Sequence, residues 1–177
     1  ETIGSIAYIH KNLKAFKKIL FGLTITTVGG KGKFGFKKSF DENFFSNALI
    51  EETFKELKLK FLKYNFDIHG SDERQFSSQG LKININSITK DKYYEYKEYH
   101  NSMDNLDFVY PINIKKSFDL YKTILIKLEK TIIFFSTINV GEPFLSKYNL
   151  YNHLGGTFNP SNTSFKNLDN VLWIVRL

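Results

Sequence analysis

Cysteine is absent from the 177 residues. This excludes a disulfide framework, a thiolate zinc site and a cysteine nucleophile, and leaves His, Asp and Glu as the side chains able to hold a metal. The absence is compatible with a reducing compartment, and a cytoplasmic location is the expectation. Arginine is scarce: of 25 basic residues only Arg74 and Arg176 are guanidinium-bearing. The formal charge of +7 would suit an anionic partner, but phosphate and base recognition favour the bidentate guanidinium. The lysines instead alternate with acids on helix-like stretches, as at Lys55, Glu56, Lys58 and Lys60, which reads as a solvated face and not as a nucleic-acid surface. Long apolar runs are missing as well. Thr131 to Phe135 and Leu172 to Val175 fall far short of the ~18–20 residues of a membrane span. No Gly-x-Ser-x-Gly elbow occurs, so Ser71 and Ser78 read as loop serines.

What the chain does have is apolar mass. Hydrophobic residues make up 42%, with 18 Phe and 10 Tyr, enough for a core and against disorder. The length allows one domain, read as residues 1–136 with a loop-rich extension of the same domain over 137–177. That extension carries Gly141, Pro143, Gly155, Gly156 and Pro160 and closes on the apolar Val171 to Leu177. There is no internal repeat. The chain opens at Glu1 without an initiator Met, and the expectation is a domain lacking its N-terminal part.

Ile6, Ile9 and Leu13 at spacings of three and four predict a helix after Ser5. Phe21 to Val28, rich in β-branched residues and closed by Gly29-Gly30, predicts a strand, with a second near Phe34 to Lys38. Asn43 to Phe61 carries Phe44, Leu49, Ile50, Phe54, Leu57 and Phe61 at helical spacing. Leu81, Ile83 and Ile85 alternate with Lys82, Asn84 and Asn86, which predicts a strand to Ile88 whose second face is solvated or lined by Asn. Lys90 to Asn101 reads as a loop. Ile112 to Phe135 predicts a long helix failing near Thr131, with Ile114, Phe118, Leu120, Tyr121, Leu125 and Leu128 on its apolar side. Strands alternating with helices imply an α/β sandwich. The Gly29-Gly30-Lys31-Gly32-Lys33 cluster lacks the Gly-Lys-Ser/Thr ending of a phosphate loop and leads into a strand, so it reads as a tight turn.

Two clusters carry chemistry: Gly70-Ser71-Asp72-Glu73-Arg74-Gln75-Phe76 with Gly80, and Glu98-Tyr99-His100-Asn101-Ser102-Met103-Asp104-Asn105-Leu106. The second resembles the Tyr-His-Thr/Ser-x-x-Asp-Thr/Asn-Leu motif of zinc exopeptidases of the di-zinc aminopeptidase type. The first resembles their Ser-Asp-His-x-x-Phe-x-x-x-Gly motif with Glu73 in place of His. A narrower resemblance, including Glu1-Thr2-Ile3-Gly4-Ser5, Gly141-Glu142-Pro143 and Lys147 to Tyr151, is to bacterial aminopeptidase-like proteins associated with polysaccharide biosynthesis. It covers nearly the whole chain.

This resemblance implies a three-layer α/β/α sandwich around a mixed, mostly parallel sheet, incomplete at its N-terminus. It implies zinc as cofactor and a peptide or other small amide as substrate, with neither nucleic acid nor membrane as partner; an oligomer is compatible with it. His100 is implied as a zinc ligand, with Asp104 the nearest acceptor for its other N–H; the alternative is a surface His in a tyrosine-rich loop. Glu1 is implied as metal-proximal, acting as general base or as ligand. Asp72 and Arg74 are candidates for the substrate pocket, with a salt bridge between them as the alternative. Tyr99 is a candidate hydroxyl for the pocket, with packing as the alternative. His10, His69 and His153 lack comparable context. Two departures from the pattern matter: Thr2 breaks the Glu-Glu pair, and Gly29-Gly30 stand where an acidic ligand follows the strand. The function implied is a zinc-dependent aminopeptidase-like hydrolase whose 177-residue piece is inactive alone; the alternative is a non-catalytic binding module on a peptidase fold, acting in cell-envelope or polysaccharide assembly.

Overall fold

The structure is a computed structural model that describes residues 2–67 and 69–134, and beyond them residues 140, 141, 144, 147, 170 and 173. The chain divides into two units, Glu1–Thr131 and Ile132–Leu177. All elements discussed below lie in the first unit. The Gly141-Glu142-Pro143 block, the Lys147 to Tyr151 block and the closing Val171 to Leu177 fall wholly or largely outside the described residues.

The elements in chain order are α1 (Ile3–Phe16), β1 (Phe21–Ile25), β2 (Phe34–Lys37), α2 (Phe45–Glu56), β3 (Phe61–Tyr64), α3 (Glu73–Phe76), β4 (Asn84–Thr89) and α4 (Pro111–Lys130). Four strands form one sheet in the order β1-β4-β2-β3. β1 runs parallel to β4 and β2 parallel to β3, while β2 and β4 are antiparallel. The mixed, mostly parallel α/β class read from the sequence is the one observed.

Side chains alternate across a strand, and this alternation assigns the two faces. Phe34, Phe36 and Ile88 join Ile50 and Phe54 of α2 and Leu120, Tyr121 and Ile124 of α4 in the main core. Lys37 of β2 reaches the opposite face, where it meets Glu73 of α3, and α1 packs on α3. Asn86 on β4 is fully buried yet satisfied: Ser46 Oγ donates to its Oδ1 (2.6 Å) and its Nδ2 donates to Asn47 Oδ1 (2.7 Å). The Asn-bearing face of β4 is therefore lined by α2 and is not solvated.

Three elements differ from expectation. The helix predicted through Phe61 stops at Glu56: Lys58 turns left-handed at φ 53°, Leu59 N–H closes on Phe54 O (2.9 Å), and Phe61 begins a strand instead. Phe61 stacks on Phe54 at 4.3 Å between ring centroids, so the apolar spacing that suggests one continuous helix face comes from two elements on one core. The strand from Phe21 ends at Ile25, because Thr27 adopts φ 45° and donates Oγ1 to Asp91 O (2.7 Å). α4 is rotated from its predicted apolar side: Phe118 is 63% and Leu125 52% exposed, while Ser117 and Ile124 are buried. Hydroxyls accompany the rotation: Ser117 Oγ donates to Val28 O (2.8 Å), and Tyr121 OH points at the backbone of β4 and β1, donating to Ile88 O with Thr24 O at 3.2 Å.

Candidate functional site

Parallel strands β1 and β4 end on the same edge of the sheet, where α/β proteins place their ligands. A cavity of about 350 Å³ opens there. Its floor is Thr26 to Gly30, running on from β1. Ser71 enters from the loop before α3. The long segment between β4 and α4 supplies Asp91, Tyr93, Tyr96, Tyr99, His100, Asp104 and Phe108. Two of the motif blocks therefore meet, with Ser71 and His100 lining one cavity.

The glycine loop is held from three sides. Tyr110 N–H donates to Gly29 O (2.9 Å), Asn113 Nδ2 donates to Gly30 O (2.7 Å), and the Asp91 carboxylate fits against Gly30 and Gly32. A Cβ on either glycine would lie 1.9 Å from a carboxylate oxygen of Asp91, so both positions need glycine for close approach. This is structural packing, in line with a tight turn.

His100 sits in the left-handed region at φ 56°, with its ring stacked on Tyr99 at 4.0 Å and an interplanar angle of 11°. Tyr99 also meets Tyr94 and Tyr96 edge-on, so it lines the cavity as part of an aromatic cluster. Asp104 lines the same cavity and is anchored through its backbone, N–H to Asn101 O (3.1 Å); among the described residues no hydrogen bond joins its carboxylate to His100. Glu1 lies outside the described residues. Asp72 and Arg74 do not line this cavity. Asp72 Oδ1 accepts from Ser5 Oγ (2.5 Å), and Gln75 Nε2 donates to Thr2 Oγ1 (2.9 Å), so the Gly70–Phe76 block is tied to Thr2 and Ser5. Arg74 Nε donates to Ser71 O (3.5 Å). Of the other histidines, His69 O accepts from Lys37 Nζ and His153 lies outside the described residues.

Behind the cavity lies a buried ionic network that the sequence did not signal. Lys37 Nζ donates to Asp67 Oδ1 (2.9 Å), Glu73 Oε1 (3.2 Å) and Tyr93 OH (3.4 Å). Glu73 is fully buried and accepts from Ser71 N–H (3.0 Å) and Tyr93 OH (3.0 Å). Glu73, at the position where the resembled motif has His, thus anchors the Ser71 loop and the Tyr93 ring of the cavity wall. Asp91 is a second residue missed; its one sequence signal is an acid just beyond the end of β4.

The site is electronegative. Burial pushes the Asp91 carboxyl up, against the opposing pull of the Gly32 N–H and Lys90. Tyr96 is pushed up to about 12, by burial first and then by the charges of Asp104 and Asp91. Burial and the neighbouring Glu73 raise Tyr93. Among the described residues no three His, Asp or Glu side chains converge to hold a metal ion, so these residues alone do not fit a zinc site, which takes at least three protein ligands.

The chain forms a mixed α/β domain with helices on both faces of the sheet and a cavity at its parallel strand ends. A crystal structure from Clostridium acetobutylicum, provisionally named a peptidase, superposes with a TM-score of 0.71 at 29% identity over 83% of this chain and 35% of that one. Residues 1–131 match the domain of unknown function DUF4910, and the chain belongs to that family. A Clostridium acetobutylicum protein, provisionally named a polysaccharide biosynthesis protein with an aminopeptidase-like domain, is 30% identical over 156 residues, 88% of this chain and 36% of the relative. The chain spans about a third of the length of these relatives.

Proposed function

We propose that this chain is part of a peptidase-like hydrolase acting on a peptide or small amide, with the cavity at the ends of β1 and β4 as its ligand site. The observation that carries this reading is the convergence of Ser71 and His100, from separate motif blocks, on one cavity at the parallel strand ends. The relatives' names support a hydrolase of this type. In this reading His100 and Glu1 would hold a zinc together with donors outside these residues, and the metal would supply Lewis-acid chemistry toward an amide. This chain's own part is to bind and orient. Tyr93, held by Glu73 and Lys37, fixes one wall; the Ser71 loop, tied to the same Glu73, fixes another.

A longer protein carrying this chain should contain zinc by elemental analysis and cleave aminoacyl anilides. His100→Ala should lower its zinc affinity by roughly 10-fold or more. The 177-residue chain alone should do neither, since Glu1 and His100 are too few for a catalytic zinc. A metal-free but active longer protein, or unchanged zinc affinity in His100→Ala, would overturn the metal assignment.

A second reading, a non-catalytic binding module on the same fold acting in polysaccharide assembly, is favoured by Gly29-Gly30. Backbone packed against Val109 and Asp91 fills the place of an acidic ligand there. A longer protein that binds ligand in the cavity but hydrolyses nothing would select it.

A further inference from the structure

The charge of the cavity opposes that of the protein. The chain carries +7, yet among the described residues the lining contains Asp91 and Asp104 and neither Lys nor Arg. Between the two acids stand aromatic rings: Tyr96 and Phe108 stack face to face at 5.3 Å, and Tyr99 meets Tyr96 edge-on. Ring faces attract cations and pack against methylenes, and carboxylates fix where the charge stops.

We propose that this cavity is a specificity pocket for a basic side chain, whose methylenes run along Tyr96, Tyr99 and Phe108 and whose cationic end lies in the field of Asp91 and Asp104. The inference rests on the hydrolase reading for the aminoacyl nature of the ligand, and goes beyond it in naming which residue that ligand presents.

Four observations converge on it. Asp91 Oδ2 is buried against Gly30 with no hydrogen-bond partner, so it reaches a ligand through its field and not by contact. The two lysines that flank Asp91 do not line the cavity: Lys90 Nζ donates to Gly32 O and lies 4.7 Å over the Phe34 ring, its charge pulling against burial at Asp91, and Lys92 Nζ pairs with Glu95 (2.6 Å). Both acids line the same cavity as the Tyr96 ring. The volume, about 350 Å³, falls in the range of ligand pockets and exceeds what a single side chain fills. Asp104 is exposed and stands where an entering side chain meets it; Asp91 acts from behind the wall through its charge.

The test is equilibrium binding, without turnover, of L-lysinamide and L-norleucinamide to the 177-residue chain at pH 7 and low salt. The two ligands share the α-amine and the amide and differ at the side-chain end, so the comparison isolates the pocket from recognition of an amino terminus. Lysinamide should bind on the order of 10-fold more tightly, the loss expected for a hydrogen bond to a charged partner, and added salt should narrow the gap. Asp104→Asn, a change at an exposed position that leaves packing untouched, should bring the two amides within about 3-fold of each other. Equal binding of the two amides, tighter norleucinamide, or no binding of lysinamide overturns the pocket. The hydrolase reading stands or falls separately: cleavage of neutral and basic anilides at equal rates by the longer protein removes the pocket and keeps the hydrolase, whereas a preference for lysinamide with no hydrolysis does the reverse.

Discussion

Lys37 Nζ lies 3.2 Å from Glu73 Oε1, with the lysine side chain 5% and the glutamate 0% exposed. Two charges so deeply placed give up hydration that their mutual attraction repays only when the remaining donors and acceptors are filled. Here Asp67, Tyr93 and the backbone of His69 and Ser71 fill them. The pair joins the sheet to the loop that delivers Ser71, and so connects folding to the shape of the cavity.

Lys37→Met should therefore destabilise the domain by about 3–5 kcal/mol, since Glu73 would be left buried and uncompensated. Adding Glu73→Leu to that variant should recover part of the loss. Urea denaturation of both variants decides it; a double variant less stable than Lys37→Met would show that the charges are not coupled.

Ser5→Ala should loosen one helix and leave the rest intact. The Ser5–Asp72 hydrogen bond spans 67 positions, while α1 has no fully buried residue and is otherwise held by surface contacts such as Phe16 on Phe76 and Gln75 on Thr2. The expected cost is ~1 kcal/mol, read by hydrogen exchange as faster amides over residues 3–16 with β4 protection unchanged. Uniform loss of protection across the sheet would contradict this.

Gly32→Ala should cost about 1–3 kcal/mol by overpacking, because the new Cβ would fall 1.9 Å from Asp91 Oδ1 and 3.2 Å from Lys90 O. If the carboxylate is the obstacle, Gly32→Ala in an Asp91→Ala background should cost clearly less. Additive effects in a double-mutant cycle would place the strain in the backbone instead.

Asp91 also predicts a pH dependence. Its carboxyl is raised from the ordinary 3.8, by burial first, then opposed by the Gly32 N–H and Lys90 and reinforced by Glu98. Between 3.8 and the raised value the folded state binds more protons than the unfolded one, so this group's contribution to stability falls as pH rises through that window. Asp67 acts with the opposite sign: burial raises it, but the hydrogen bond and charge of Lys37 outweigh burial and lower it, so its stabilisation is lost as pH falls. Asp91→Asn, which keeps an acceptor for Gly32, should gain on the wild type progressively as pH rises from 3.8 and then hold a constant lead. Denaturation midpoints across acid to neutral pH test this; a stability difference independent of pH would refute it.

The sequence alone determined that elements with their own periodicity exist, namely a strand from Phe21, the amphipathic α2 and α4 failing at Thr131, but not where β1 and α2 end or which face α4 buries. The resemblance carried by the Ser71 and His100 blocks implied that they belong to one site, and both line one cavity. Tertiary structure decided what depends on distant partners. Phe61 has helical spacing from Phe54 and Leu57, and only pairing with Phe34 on β2 makes it a strand. The insertion of β4 between β1 and β2 follows from long-range pairing that no local pattern encodes. Lys37 is one of many lysines until Glu73, 36 positions away, buries it, and Asp91 is a loop acid until two glycines close around it. Local periodicity reports the faces of one element; which buried charges are satisfied, and which carboxylate oxygen is left without a hydrogen bond beside a cavity, depends on residues brought together only by the fold.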